Sequence, residues 1–299
     1  MTSLTRPPVL RPGDRVAVLS VSGVVDPDQL MAGLSCLRSA DLVPVLYPSA
    51  TASGTFRPYL AGSDAERADD LRSALTDDSI AGIIFARGGY GAQRVLELMS
   101  WDDIDQPKVV AGFSDVTAIL EAVAVKLGWA SVHGATIASD AENLRATLDI
   151  LTNPPGSLHF PGARAVNPGT ARGVTCGGNL TMLASSLATG TSWPPGDGIW
   201  LLEEVNEAPY RVDRQLTQLR RSGYLDDVAG IIAGTFTGCG DPLLIDEILT
   251  ERLGSLGVPM ITGANVGHGP GTQPFPLGIA ASLDAAACTV TLLDPPLIR

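Results

Sequence analysis

Short apolar runs and longer amphipathic stretches alternate along the first half of the chain. The apolar runs predict buried strands at 14–21, 42–47, 81–87, 108–112 and 130–133. The stretches between them predict helices at 26–40, 63–75, 91–99 and 116–127. Ser63 and Glu66, three residues apart at the start of the second helix, form the pattern of a capping box. Apolar strands that alternate with helices predict a parallel sheet covered by helices on both faces.

The pattern changes after residue 152. Residues 153–170 contain Asn-Pro-Pro-Gly, Pro-Gly and Asn-Pro-Gly, a density of turn formers that is typical of a linker. Beyond it the sequence predicts strands at 173–177, 199–203, 228–236 and 260–264, helices at 179–188, 211–222 and 243–254, and a hairpin at 278–293. We therefore expect an N-terminal α/β domain at 1–152 and a mixed α/β domain at 171–299.

The charge and composition of the chain exclude some classes of function and of partner. Lys and Arg number 20 and Asp and Glu number 32, which gives a formal charge of −12. An acidic chain repels phosphate backbones and anionic lipid, so neither nucleic acid nor a membrane is an expected partner. The apolar run at 16–25 follows three arginines, as in a secretory signal, but prolines and Asp14 interrupt that pattern and we interpret it as the first strand. The four cysteines are far apart and are interpreted as buried apolar residues.

The chain has three histidines, and a histidine base must be one of them. His268 lies in Val-Gly-His-Gly-Pro-Gly after a predicted strand, where glycines allow the backbone to approach a ligand. His133 ends a predicted strand, either as a site residue or as a core histidine, and His159 lies in the predicted linker. Neither His nor Cys shows metal-ligand spacing, so we expect no metal.

Ser114 follows an apolar strand in Gly112-Phe113-Ser114, and a predicted helix begins directly after it. A serine at such a turn exposes its Oγ as a nucleophile elbow does, and the N–H of Asp115 is available to an oxyanion. The alternative is a serine that only caps the helix.

Two further segments could carry chemistry. Glu203 and Glu204 end a predicted strand, where α/β proteins often carry site residues, although an ordinary acidic loop would look the same. Arg87-Gly-Gly-Tyr-Gly91 also joins a strand to a helix. One interpretation is that its backbone N–H groups bind an anion. The other is that its glycines only form a tight turn between the strand and the helix. It lacks the spacing of nucleotide-binding loops, and we expect no cofactor.

Taken together, these motifs resemble the LD-carboxypeptidase family of serine peptidases, which also contains the microcin C immunity proteins. The matching segments, in chain order, are Arg87-Gly-Gly-Tyr-Gly91, Gly112-Phe-Ser-Asp115, Gly177-Gly-Asn179, Leu202-Glu-Glu-Val with Pro209-Tyr-Arg-Val-Asp-Arg214, and Gly267-His-Gly269 with Pro276-Leu-Gly278. The resemblance implies an N-terminal parallel-sheet domain, a smaller C-terminal domain with a β-barrel-like core, a homodimer and a cytoplasmic location. It also implies that Ser114, Glu203 and His268 form a catalytic triad. The family usually has Leu-Glu-Asp at Leu202-Glu203-Glu204, and we assign Glu203 because it aligns with the family's glutamate.

The implied reaction removes the terminal D-alanine of the murein tetrapeptide, where the scissile amide joins an L-configured centre to a D-residue. In this hypothesis Ser114 attacks, His268 takes its proton, and the N–H groups of Gly89 and Asp115 receive the oxyanion. Arg87 is our candidate for binding the substrate carboxylate. Two alternatives remain open. One is an immunity-type amidase that cleaves a peptidyl-nucleotide antibiotic with the same triad, and the other is an inactive module that binds cell-wall fragments. The length of the chain leaves little room for the long substrate loop of the immunity-type members, which favours the peptidase.

Overall fold

A computed structural model describes residues 2–54 and 56–299; residues 1 and 55, both in the first predicted domain, lie outside the described residues. The helices are α1 (Pro27–Ser39), α2 (Asp64–Thr76), α3 (Ala92–Leu96), α4 (Thr117–Leu127), α5 (Ala141–Thr152), α6 (Leu180–Ser186), α7 (Pro209–Arg221) and α8 (Pro242–Arg252). The strands are β1 (Arg15–Leu19), β2 (Val43–Leu46), β3 (Ile80–Phe85), β4 (Val109–Gly112), β5 (Ser131–His133), β6 (Ser157–His159), β7 (Arg164–Asn167), β8 (Thr170–Asn179), β9 (Gly198–Val205), β10 (Gly230–Thr237), β11 (Met260–Thr262), β12 (Phe275–Leu277), β13 (Ala280–Asp284) and β14 (Thr289–Leu292). No described helix is both long and apolar enough to cross a membrane.

The first sheet has the strand order β12-β5-β4-β3-β1-β2. Its strands from β1 to β5 pair in parallel, and β12 alone is antiparallel. Ile83, Ile84 and Phe85 of β3 have no exposed surface. Successive residues of a strand point to opposite faces, so burial of all three means that both faces are covered. The expected parallel sheet is confirmed.

The second sheet has the order β6-β14-β13-β8-β9-β10-β11-β7. Strands β8 to β11 pair in parallel, and the remaining strands are antiparallel to their neighbours. The hairpin predicted at 278–293 is present as β13 and β14. Strands β6 and β7, although consecutive in the chain, lie at opposite edges of this sheet. The C-terminal core is therefore an open mixed sheet rather than the barrel-like core that we expected.

The segment 153–170, which we expected to be a linker, contains two strands of the second sheet. Strand β6 pairs with β14, and β7 pairs with β11. The Pro-Gly turns separate short strands that find their partners far along the chain, which local turn signals cannot reveal. Conversely, β12 comes from the C-terminal half but pairs with β5 in the first sheet. The division into domains at 1–152 and 171–299 stays a prediction.

Strand β9 lies between two apolar clusters. Ile199 and Leu201 belong to a cluster shared with the first sheet, whereas Trp200 and Leu202 belong to a cluster under α6, α7 and α8. This alternation follows from the two-residue period of a strand. It directs the residues after Leu202 alternately towards the first sheet and towards the helices.

The start of α2 has the cap that the sequence predicts. Ser63 Oγ accepts the Glu66 N–H at 3.2 Å, and Glu66 Oε2 accepts the Ser63 N–H at 2.8 Å, so the predicted capping box of α2 is confirmed.

We expect Ser63→Ala to lower the free energy of unfolding by about 1 kcal/mol, because the Glu66 N–H loses its acceptor at the helix start. Urea denaturation measures the change. Ser39→Ala, which removes another exposed serine hydroxyl near the end of α1, is the control and should change the value by less than about 0.5 kcal/mol. Equal losses in the two variants would contradict the capping argument.

Candidate active site

Ser114 lies at the turn between β4 and α4. Strand β4 ends at Gly112, and a single 3₁₀ turn from Ser114 to Val116 leads into α4. The φ angle of Ser114 is 63°, a left-handed value that is uncommon for a residue with a side chain. A sharp strand–helix turn of this kind lifts the serine side chain away from the sheet, as in a nucleophile elbow.

The backbone of the loop after β3 passes directly beside Ser114. A Cβ atom at Gly88 would lie 2.9 Å from Ser114 Cβ and 3.0 Å from its Oγ. Only glycine leaves room for that approach, which places Gly88 next to the hydroxyl. The candidate oxyanion donor Gly89 belongs to this loop.

The Asp115 side chain ties together the loops that follow three neighbouring strands. Its Oδ2 accepts the Ser22 hydroxyl at 2.6 Å and the Ala92 N–H at 2.8 Å. Burial raises the pKa of Asp115, and these two hydrogen bonds oppose that rise. Sequence reasoning considered only the N–H of this residue. The side-chain contacts were missed because the partners lie 93 and 23 positions away.

Glu203 and His268 form a hydrogen-bonded pair. His268 Nδ1 lies 2.6 Å from Glu203 Oε2, at the end of β9. The Glu203 side chain is fully buried, whereas 17% of the His268 side chain is exposed. A Cβ atom at Gly267 would lie 2.5 Å from Glu203 Oε2, so the chain reaches the carboxylate only because this residue is glycine. The Thr237 hydroxyl donates to the His268 carbonyl at 2.5 Å and anchors the loop.

The surroundings of Glu203 favour the ionised form of its carboxyl group despite its burial. Burial raises its pKa, but the hydrogen bond and charge of His268, together with His133, outweigh that effect and hold the pKa below its usual range. A carboxylate on Nδ1 favours the imidazole tautomer whose Nε2 is free to accept a proton.

Glu204 faces the opposite side of β9. Its carboxylate accepts the Thr181 N–H at 2.8 Å, the Thr181 hydroxyl at 2.7 Å and the Asn179 side-chain amide at 2.9 Å. Glu204 therefore anchors the start of α6, and Glu203 is the carboxylate that contacts His268.

Phe113 connects the two halves of the site. Its ring centroid lies 4.6 Å from that of His268, and it directly precedes Ser114. An open cleft of about 650 Å³ runs from this contact between residues 139–143 and 267–270. The Ser114 hydroxyl makes no hydrogen bond to His268 in this structure, and catalytic hydrogen bonds are often long until substrate binds.

The other candidate residues have different surroundings. Arg87 is exposed, and its Nη1 donates to the Val24 carbonyl at 2.8 Å. His159 is exposed on β6 and contacts Thr289. His133 is buried, with Nε2 3.9 Å from Glu203 Oε1. Within residues 2–54 and 56–299, no three His, Cys, Asp or Glu side chains cluster closely enough to hold a metal ion.

These groups suit acyl transfer chemically. A serine on a strand–helix turn, an imidazole held by a carboxylate and nearby backbone N–H groups are the parts that such a reaction needs.

We expect Glu204→Gln to destabilise the protein by about 2 kcal/mol, because an amide cannot accept all the hydrogen bonds that the carboxylate receives at α6. Glu203→Gln is the matched control. It should change stability by less than about 1 kcal/mol, since a neutral amide still accepts from His268 and needs less solvation. Thermal denaturation measures both. A larger loss for Glu203→Gln would contradict the roles drawn from the two faces of β9.

Comparison with known proteins gives a consistent result. Residues 16–134 match the LD-carboxypeptidase N-terminal domain, and residues 172–283 match the LD-carboxypeptidase C-terminal domain. A protein of Streptomyces coelicolor that provisionally carries the name carboxypeptidase is 42% identical over 99% of each chain. The murein tetrapeptide carboxypeptidase of Pseudomonas aeruginosa is 28% identical over 90% of this chain and 93% of that protein.

The fold also matches solved structures. The structure of MccF in complex with glutamyl sulfamoyl guanosine superposes with a TM-score of 0.88, covers 98% of this chain and 99% of that chain, and is 20% identical. At that identity the match concerns the fold alone, but the family models and the Streptomyces protein span the chain in sequence as well. The chain belongs to the LD-carboxypeptidase family.

Proposed function

We propose that this chain is a serine LD-carboxypeptidase that hydrolyses the amide between an L-configured centre and the C-terminal D-alanine of murein tetrapeptide. The observation that carries the proposal is the convergence of two elements at Phe113: the strained turn of Ser114 and the imidazole–carboxylate pair of His268 and Glu203. The name of the Pseudomonas relative supports the choice of substrate.

In the proposed mechanism Ser114 Oγ attacks the scissile carbonyl while His268 Nε2 takes its proton. Glu203 keeps the imidazole in the required tautomer and stabilises its charged form. The N–H groups of Gly89 and Asp115 receive the oxyanion. His268 then protonates the amine of the departing D-alanine, and water releases the acyl group from Ser114 by the reverse sequence of proton transfers.

A carboxypeptidase must recognise a free α-carboxylate, and Arg87 is our candidate. Arg87 lies directly before the glycine loop beside Ser114. Its Nη1 donates a hydrogen bond to the Val24 carbonyl, and its other guanidinium nitrogens form no hydrogen bond with the described residues. The remaining N–H groups suit a carboxylate, which guanidinium binds in a bidentate manner. We further propose that the enzyme acts in the cytoplasm as a homodimer, as the family resemblance implies.

We expect the purified protein to release one alanine from murein tetrapeptide, and Ser114→Ala to lower that turnover by at least about 10⁴-fold through loss of the nucleophile. Mass spectrometry of the products measures both. Ser39→Ala, on the distant helix α1, is the control and should retain full activity.

The same assay run with a peptidyl-nucleotide conjugate tests the competing activity. Cleavage of the conjugate alone, dependent on Ser114, would replace the proposed substrate with that of the immunity-type amidases. Binding of murein peptides with no turnover of either compound would indicate the inactive binding module. Turnover that survives in Ser114→Ala would contradict the nucleophile itself.

We expect Arg87→Ala to raise KM for the tetrapeptide about 10- to 100-fold with a smaller change in kcat, because it removes a charged contact to the substrate carboxylate. On a substrate with an amidated C-terminus the same variant should have little effect, since the contact is already absent. Arg221→Ala, which removes an equal charge at the end of α7, is the control. An equal effect of Arg87→Ala on both substrates would contradict the assignment.

A further inference from the structure

His133 is a buried histidine that the proposed mechanism does not use. It ends β5, where it pairs with Gly112 of β4 on one side and with Phe275 of β12 on the other. Its side chain is 1% exposed, and neither ring nitrogen has a hydrogen-bond partner among the described residues. Buried polar groups are rarely left unpaired, so an orphaned imidazole calls for an explanation.

The group that faces His133 is the second oxygen of Glu203. His268 contacts Oε2 of that carboxylate, whereas Oε1 is buried and receives no hydrogen bond from any described residue. His133 Nε2 lies 3.9 Å from Oε1. The carboxylate thus lies between two imidazoles, one contributed by each half of the chain.

We infer that His133 is a positioning residue that directs its Nε2–H towards Glu203 Oε1 and so fixes the carboxylate against His268. The inference rests on the proposed function, since it assigns a role within the same site. At 3.9 Å the contact is electrostatic rather than a formed hydrogen bond. In a buried site with low dielectric, a dipole aimed at a charge keeps much of its strength.

The charge state of His133 suits this role. Burial lowers its pKa to about 4, opposed in part by Glu203, so the ring is neutral at physiological pH. A neutral donor steadies the carboxylate without cancelling the negative charge that His268 needs when it becomes protonated. The titratable groups that act on His133 are Glu203 from β9 and His268 from the loop after β11.

Phe113 packs against both imidazoles. Its ring meets His133 edge-on, at 88° and 6.1 Å between centroids, and lies 4.6 Å from His268 at 39°. Because Phe113 also precedes Ser114, the nucleophile turn, His133 and His268 share one packing element. The ring of His133 therefore packs against the same residue as the proposed base.

The test compares His133→Gln with His133→Asn and His133→Phe. The Gln side-chain amide reaches the position of Nε2, the Asn amide is too short to reach it, and Phe has no donor. We expect Asn and Phe to lower kcat about tenfold with KM unchanged, and to move the acid limb of kcat/KM to higher pH. The shift follows because removing a donor from the carboxylate increases the proton affinity of the Glu203–His268 pair. Gln should retain most of kcat and the wild-type acid limb.

His159→Gln, a change of the exposed histidine on β6, is the matched control and should leave both readouts unchanged. Equal behaviour of the Gln, Asn and Phe variants, whether all active or all impaired, would overturn the inference, because a packing role does not distinguish the donor position. The Gln and Asn pair keeps the comparison valid if Phe prevents folding.

An NMR measurement that does not depend on enzymatic turnover distinguishes this inference from the proposed function. The NMR titration of the His268 ring should move to higher pH in His133→Asn and not in His133→Gln. An unchanged titration in both would overturn the positioning role even in a fully active enzyme. Turnover that does not depend on Ser114 would instead overturn the proposed function and leave the titration result standing.

Discussion

A single buried carboxylate links the two sheets of this protein. Glu203 extends from the second sheet with its side chain fully enclosed, and it contacts His268 at 2.6 Å. An ionised group can remain in such a place only if nearby polar groups replace the water that it loses. The loop at Gly267 brings His268 to the carboxylate, and the end of β5 places His133 beside it.

The approach of separate loops to Ser114 depends on the absence of side chains at chosen positions. Gly88 lets the loop after β3 pass beside the hydroxyl, and Gly267 lets the His268 loop reach Glu203. The side chain of Asp115 then joins the loops that follow β1, β3 and β4 through Ser22 and Ala92. The turn that strains Ser114 is therefore held from several sides, which is how a strained backbone persists in a folded protein.

Proteins with different names and ligands resemble this chain. A murein tetrapeptide carboxypeptidase and the self-immunity protein MccF both resemble this chain. In the mechanism that we propose, the triad acts on the scissile amide itself, so the choice of substrate depends on the walls of the cleft. In this chain the open cleft beside His268 and the exposed Arg87 are available for that selection.

The local sequence determined the elements whose signals are short-range. The capping box at Ser63, the apolar strands of the first sheet and the strand–turn–helix at Ser114 follow from neighbouring residues. The position of β12 in the first sheet and of β6 and β7 in the second depends instead on pairing across more than a hundred residues in most cases, which turn signals do not encode.

The residue pattern did not distinguish Glu203 from Glu204, the family resemblance favoured Glu203, and the tertiary structure shows why Glu203 contacts His268. The two-residue period of β9 requires Glu203 and Glu204 to point in opposite directions, but only the packing of β9 between two cores determines which direction leads to the first sheet. The same holds for His133, whose strand was predicted from sequence while its contact with Glu203 was not. Side-chain alternation is a local property, whereas the identity of the neighbour on each face is set by how the sheets pack.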